Sequence, residues 1–224
     1  MTEPVVRADG LAKTHGRGLS AVVALYGASF ELLPGEGVAL VGPSGSGKST
    51  LLHLVAGLLG PTAGTIAWPA LGPSGPRAPG NVGLVFQGPS LLPDLDVIEN
   101  TALPLLLAGT DNTRARRAAQ DALDQLGVGD LAHRVPAELS GGQAQRISVA
   151  RALVAEPPLV LADEPTGQLD HEIAVVVVDA LAAAIRRGAA VVVATHDPAI
   201  AALLGTRWTI NDGQLDTRWH ACSA

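Results

Sequence analysis

One short run, Gly42-Pro-Ser-Gly-Ser-Gly-Lys48-Ser49-Thr50, constrains this 224-residue chain more than any other. It fits the spacing G-x-x-x-x-G-K-[ST], follows an apolar run at Gly37–Val41 and opens a helical pattern at Ser49–Leu59. Strand, glycine turn and helix in that order make a cradle for phosphate. Gly42, Gly45 and Gly47 let the backbone turn so that successive N–H groups face one anion. Pro43, Ser44 and Ser46 complete the loop. The helix start adds partial positive charge. Lys48 is expected to reach the β- and γ-phosphates of a nucleoside triphosphate, ATP above all. The Ser49 hydroxyl is expected to ligate Mg²⁺, and Thr50 to contact the α-phosphate side. A chance glycine turn would lack the strand before it and the helix after it.

Three further apolar runs, Val82–Phe86, Leu159–Ala162 and Ala190–Ala194, are short and nearly continuous, as in strands covered on both faces. Helical patterns such as Ile173–Arg187 separate some of them, which predicts a largely parallel α/β sheet. Residues from about Pro89 to Leu153 read as mostly helical and interrupt that alternation. The Pro- and Gly-rich stretch Trp68–Gly80 reads as a loop or a shrunken subdomain. No internal repeat is visible.

Hydrophobic residues make up 47% of the chain and aromatics only 3%, so Ala, Val and Leu must fill the core. The net charge of −6 and the lack of a basic stripe speak against nucleic acid as a partner. The runs Arg114–Arg117 and Arg186-Arg187 read as solvated helix faces. A lone cysteine, Cys222, cannot form an internal disulfide and fits a reducing compartment. The N-terminus lacks a signal-peptide pattern, and no run reaches the roughly 20 apolar residues that a bilayer span needs. Residues Thr217–Ala224 read as a frayed tail.

The run Leu159–Glu164 ends in two acids, Asp163 and Glu164. Carboxylates at the tip of a buried strand need a cation or solvent. Beside a phosphate cradle, Asp163 is placed to hold Mg²⁺ through its water. Glu164, one step on, is placed to polarise an attacking water as general base. Without the cradle, the pair would read as the start of a loop.

Leu139-Ser-Gly-Gly-Gln143 supplies a second anion-reading helix start. Ser140 is a good N-cap for a helix over Gln143–Leu153, and Gly141 and Gly142 offer free N–H groups. Two such starts, about a hundred residues apart, can share one nucleotide if two copies of the chain face each other.

With these motifs in order, the chain resembles the ATP-binding subunits of ABC transporters over about residues 5 to 213. The resemblance rests on Gly42–Thr50, Gln87, Leu139–Gln143, Asp163-Glu164, Leu169-Asp170 and His196. It implies an α/β fold: a P-loop (RecA-like) core with a mainly parallel sheet, a small antiparallel β subdomain and an inserted helical subdomain. Residues 1–88 and 154–224 would form the nucleotide-binding core, and 89–153 the helical subdomain. It further implies two chains, identical or homologous, closing around two Mg-ATP. The P-loop of one chain and Ser140, Gly141, Gly142 and Gln143 of the other would clasp each nucleotide. His196 resembles the switch histidine that contacts the γ-phosphate. Gln87 resembles the residue linking Mg²⁺ and water to the membrane subunit, and Leu169-Asp170 the segment crossing the dimer interface. An integral membrane permease would be the second partner, with this chain on the cytoplasmic side of the membrane. A narrower likeness lies in Ser90–Pro93, Val97–Asn100 and Pro165–Asp170. These resemble the branch of lipoprotein-release, macrolide-export, peptide-antibiotic-export and cell-division ATPases.

Several positions depart from the family pattern. Lys13-Thr14-His15 puts His15 where an aromatic residue usually stacks on adenine, with Tyr26 as the alternative. The stretch Trp68–Asn81 is short, Ala144 replaces a common Gln, and Asp96 replaces a common Thr. Other readings are a soluble ABC-type ATPase, a nucleotide-dependent tether that barely turns over, or a small-molecule kinase. A kinase would not need Leu139–Gln143.

Overall fold

The structure, a computed structural model, describes residues 2–167 and 169–217. Gln168, within the Pro165–Asp170 likeness, and residues 218–224 with Cys222 lie outside the described residues. In chain order the elements are β1 (Val6–His15), β2 (Val22–Leu32), β3 (Gly37–Val41), α1 (Lys48–Val55) and β4 (Ala63–Ala67). Next come β5 (Val82–Val85), α2 (Val97–Leu107), α3 (Asn112–Gln125) and α4 (Gly141–Leu153). The chain continues through β6 (Leu159–Asp163), α5 (His171–Arg186), β7 (Ala190–Ala194), α6 (Pro198–Leu203), β8 (Gly205–Asn211) and β9 (Gln214–Asp216).

Two sheets form. One has six strands in the order β5-β6-β7-β3-β8-β9, all parallel except the β8–β9 pair. The other is a three-stranded antiparallel sheet, β2-β1-β4. The fold is thus a P-loop α/β core with a small antiparallel sheet and added helices.

The period-two alternation of buried strands splits their side chains between two cores. Val38, Leu40, Leu159, Leu161 and Val192 pack with α1 and the antiparallel sheet. Ala39, Val160, Ala162, Val191 and Val193 pack on the opposite face against residues of α2 to α5. A buried Leu or Val contributes about 1.5–3 kcal/mol, so Ala, Val and Leu suffice without many aromatics. One tilted aromatic pair, Phe30 and Trp208 at 4.8 Å, joins the antiparallel sheet to β8.

Element ends differ from the pattern-based reading for local reasons. α1 stops at Val55 rather than Leu59, because Gly57 turns into the left-handed region (φ +70°) and Leu58 and Leu59 bond back to His53 O. α4 starts at Gly141, not Gln143, because the Ser140 side chain caps it. β5 ends at Val85; the Phe86 carbonyl accepts a side-chain bond from Gln145 instead. Asp96, the residue found in place of Thr, caps α2 in a reciprocal box with Glu99, a role either residue fills. The short stretch before β5 forms two 3-10 turns, Pro69–Leu71 and Gly75–Arg77, pinned by Asn81 to Leu71 O and Gly75 O. Of the arginine runs, Arg116 faces Asp96 and Glu99, and Arg187 faces Glu156.

Candidate nucleotide site

Sheet order decides what meets. β5, β6, β7 and β3 run parallel side by side, so their C-terminal ends lie along one edge. Gln87 follows β5, Asp163 and Glu164 stand at the end of β6, Thr195 and His196 follow β7, and the P-loop follows β3. The register is close: Asp163 pairs with Ala194, which also pairs with Leu40. Open α/β sheets bind ligands at this carboxyl edge.

The P-loop is tight enough to require its glycines. A Cβ on Gly42 would meet Ile210 O at 2.0 Å, and one on Gly47 (φ +109°) would meet Ala24 O at 2.3 Å. Gly47 also sits at the N-cap of α1, where no side chain competes for the first N–H groups. Lys48 is 8% exposed. Its Nζ donates to Gly42 O (2.7 Å) and Pro43 O (3.0 Å), so the ammonium folds over its own loop. Ser46 Oγ is buried without a partner. Pro43, Ser44 and Gly45 line the outer turn, where Ser46 N closes onto Pro43 O.

Two polar pairs flank the lysine. Ser49 Oγ donates to Asp163 Oδ2 at 2.5 Å, across 114 residues of sequence. His196 Nε2 lies 3.5 Å from Lys48 Nζ and 3.1 Å from Glu164 Oε1. Glu164 Oε1 is close to the ring but out of line for a hydrogen bond, and so remains a buried acceptor without a partner. Glu164 is held in the left-handed region (φ +48°), with its N–H bonded to Ala194 O. Such a conformation costs a non-glycine residue about 1–3 kcal/mol. His196 is 54% exposed on its side chain and Glu164 17%, so the pair opens toward solvent from the histidine side.

Other sequence-derived positions fall nearby or apart. His15 ends β1, and its Nε2 lies 3.3 Å from Thr50 Oγ1, which places the ring beside the start of α1. Tyr26 instead bonds Gly213 O through its amide, against the β8–β9 hairpin. Gln87 is exposed on the segment after β5, and its side chain makes no hydrogen bond among the described residues. Ser140 and Gln143 form a reciprocal box at the start of α4: Gln143 N donates to Ser140 Oγ, and Ser140 N to Gln143 Oε1. Gly141 and Gly142 occupy the first helical positions, where N–H groups have no intrahelical partner. No hydrogen bond joins this segment to the P-loop of the same chain among the described residues. Asp170 caps α5 by accepting from Ile173 N, and Leu169 packs against the helical core.

Sequence reading missed two residues at this edge. Gln145 and Arg151, both on α4, bond the backbone on either side of Gln87. Burial pulls the Arg151 guanidinium below its ordinary pKa, though a guanidinium remains charged.

Comparison with known proteins identifies the family. The family described as ABC transporter matches residues 25–167. The lipoprotein-releasing system ATP-binding protein LolD of Hydrogenovibrio crunogenus is 40% identical over 221 residues, covering 95% of this chain and 96% of its own. LolD of Bordetella pertussis is 39% identical over 222 residues, with 96% of each chain covered. The ATP-binding cassette MJ0796, solved as a dimer in a post-hydrolysis state bound to ADP and Pi, superposes with a TM-score of 0.86 at 32% identity. That match covers 94% of this chain and 96% of that one. CbiO1 of Clostridium perfringens, part of the ABC transporter complex cbiONQ, gives 0.78 at 26% identity, covering 96% and 87%. The cradle, the strand-end carboxylates and the capped glycine turn thus stand in an ATP-hydrolysing cassette, and the chain belongs to the ABC transporter ATP-binding family.

Proposed function

We propose that this chain is the ATPase subunit of a membrane complex, in which two cassettes close around two Mg-ATP and drive a separate permease. The observation that carries the chemistry is the convergence of Lys48, the Ser49–Asp163 pair and the Glu164–His196 pair on one strand edge. Lys48 exchanges its two loop carbonyls for β- and γ-phosphate oxygens, a gain because bonds between ionised groups are the stronger ones. The backbone N–H groups from Ser44 to Thr50, at the P-loop and the start of α1, cradle the phosphates.

The donor set at Ser49 and Asp163 fits Mg²⁺. Both are oxygen donors within 2.5 Å of each other. No group of three or more His, Cys, Asp or Glu among the described residues could hold a metal alone. Mg²⁺ bound with few protein ligands, completing its shell from phosphate and water, is its ordinary habit with nucleotides. When bound it would neutralise phosphate charge. Glu164, whose Oε1 is a buried acceptor without a partner, takes a proton from the attacking water. His196 contacts the γ-phosphate side once Lys48 has turned to the nucleotide, and Gln87 reaches the same edge from β5.

Gly141 and Gly142 serve the second copy's nucleotide, with Leu169-Asp170 at the seam between chains. Residues 89–153 act as a helical subdomain that moves against the core formed by 1–88 and 154–224, with the segment about Gln87 as the joint between the two. Among the described residues no helix is long and apolar enough to cross a membrane. The LolD relatives favour a lipoprotein-handling permease, with this chain on its cytoplasmic side.

Two experiments test the proposal. Tagged Glu164→Gln chain, incubated with Mg-ATP in detergent-solubilised native membranes, should recover a stoichiometric integral membrane protein that stimulates wild-type ATPase activity. Recovery of soluble partners alone would assign the ATPase to a role outside transport. The adenine platform is a separate matter. His15→Ala should raise KM for ATP about fivefold with kcat nearly unchanged, the low end of base-stacking losses because imidazole is small. Unchanged affinity would move the platform to Tyr26 or elsewhere.

A further inference from the structure

Helix α4 grips the segment that carries Gln87 at both ends. Ahead of Gln87, Gln145 Nε2 donates a long bond to Phe86 O at 3.4 Å. Behind it, Arg151 donates from Nη1 to Ser90 O at 2.9 Å and from Nη2 to Ser90 Oγ at 2.7 Å. These contacts span 59 and 61 residues of sequence, so they are tertiary tethers and not turn chemistry. Gln145 is 1% exposed, which leaves its amide little choice of partner. Arg151 makes no ion pair among the described residues, so its guanidinium fork is committed to one serine. Between the two anchors, Gln87 and Gly88 are exposed. A third side chain, Arg146, turns to α3 and bonds Leu126 O and Gly127 O. The N-terminus of the same α4 is the capped Ser140–Gly142 turn.

We infer that Gln145 and Arg151 are positioning residues that bind the Gln87 segment to α4, so that Gln87 moves with the Ser140–Gly142 turn as one body. The inference rests on the two-chain ATPase reading, in which the start of α4 meets the nucleotide held by the partner copy. Gln87 then serves the nucleotide of its own chain. Capture of ATP at one site thereby sets the position of Gln87 at the other, through a rigid helix rather than through the core sheet.

The test is a double-mutant cycle in the full chain, with Gln87→Ala as the second substitution. Arg151→Lys keeps the charge but loses the fork. It should lower kcat about tenfold, the scale of one charged hydrogen bond, and leave KM for ATP within about twofold. In the Gln87→Ala background the same change should lower kcat less than about twofold. Amide hydrogen exchange should rise across residues 86–92 in Arg151→Lys, while α1 and β6 stay protected. Equal losses of kcat in both backgrounds, or unchanged exchange at 86–92, would overturn the inference. If Arg151→Lys does not fold, Ser90→Ala and Gln145→Leu carry the same cycle. A Gln87→Ala chain with wild-type kcat would instead remove Gln87 from the hydrolysis reading, and the exchange result alone then decides whether the tether exists.

Discussion

Glu164→Gln is expected to lower ATP turnover by about 10²–10⁴-fold, the span of a lost general base, while ATP binding stays near wild type. That corresponds to roughly 3–5 kcal/mol of barrier. The substitution nearly preserves shape, so Glu164 N–H keeps its bond to Ala194 O and the left-handed backbone is unchanged. What goes is an acceptor able to take a proton. In the free chain that acceptor, Oε1, is buried, 3.1 Å from His196 Nε2 and without an aligned donor. Single-turnover hydrolysis and equilibrium ATP binding separate the two effects. A kcat near wild type would remove Glu164 from the chemistry and leave His196 as the candidate base.

The second large effect is in assembly. Glu164→Gln with saturating Mg-ATP should move from one chain mass to twice that mass in light scattering, and ADP should return it. The reason lies in the unpaired N–H groups of Gly141 and Gly142, which no P-loop in the same chain reaches. In the proposed facing-copy arrangement, phosphate on the other chain's P-loop would satisfy them, and the trapped γ-phosphate would hold the two halves together. The similar cassette MJ0796 has been solved as a dimer. A chain that stays monomeric at saturating ATP, with its membrane partner present, would sink the facing-copy arrangement.

Much of the site is legible in contiguous residues. Gly42–Thr50 states its own geometry, because the glycines, the lysine and the helix start act within one turn of chain. Ser140 announces α4 because an N-cap bonds only three residues ahead. The apolar runs marked β3, β5, β6 and β7 to within a residue at each end, since strands covered on both faces leave no polar alternation to confuse them. The antiparallel strands were harder. β1 and β2 carry exposed and buried positions irregularly, and the β1 pairings shift register more than once, so no clean alternation survives in the sequence.

Gln145 and Arg151 left no sequence signal, because both sit in an ordinary helical pattern and their partners are backbone atoms some sixty residues away. Where His15 and Tyr26 lie was likewise a matter for the fold. Both are aromatic side chains near a strand end or turn, and only the packing of β1 and β2 sets His15 beside Thr50 and Tyr26 beside Gly213.

Local chemistry, then, was written in the chain: which loop has the glycine turn and helix start of a phosphate cradle, which strand ends in acids, which turn caps a helix. Those features act over a few bonds and need no distant partner. Which of them meet is a property of strand order. β6 and β7 lie between β5 and β3, and so Ser49 finds Asp163 and Lys48 finds His196 across more than a hundred residues. No local preference encodes that order; it follows from burying two apolar sheet faces at once.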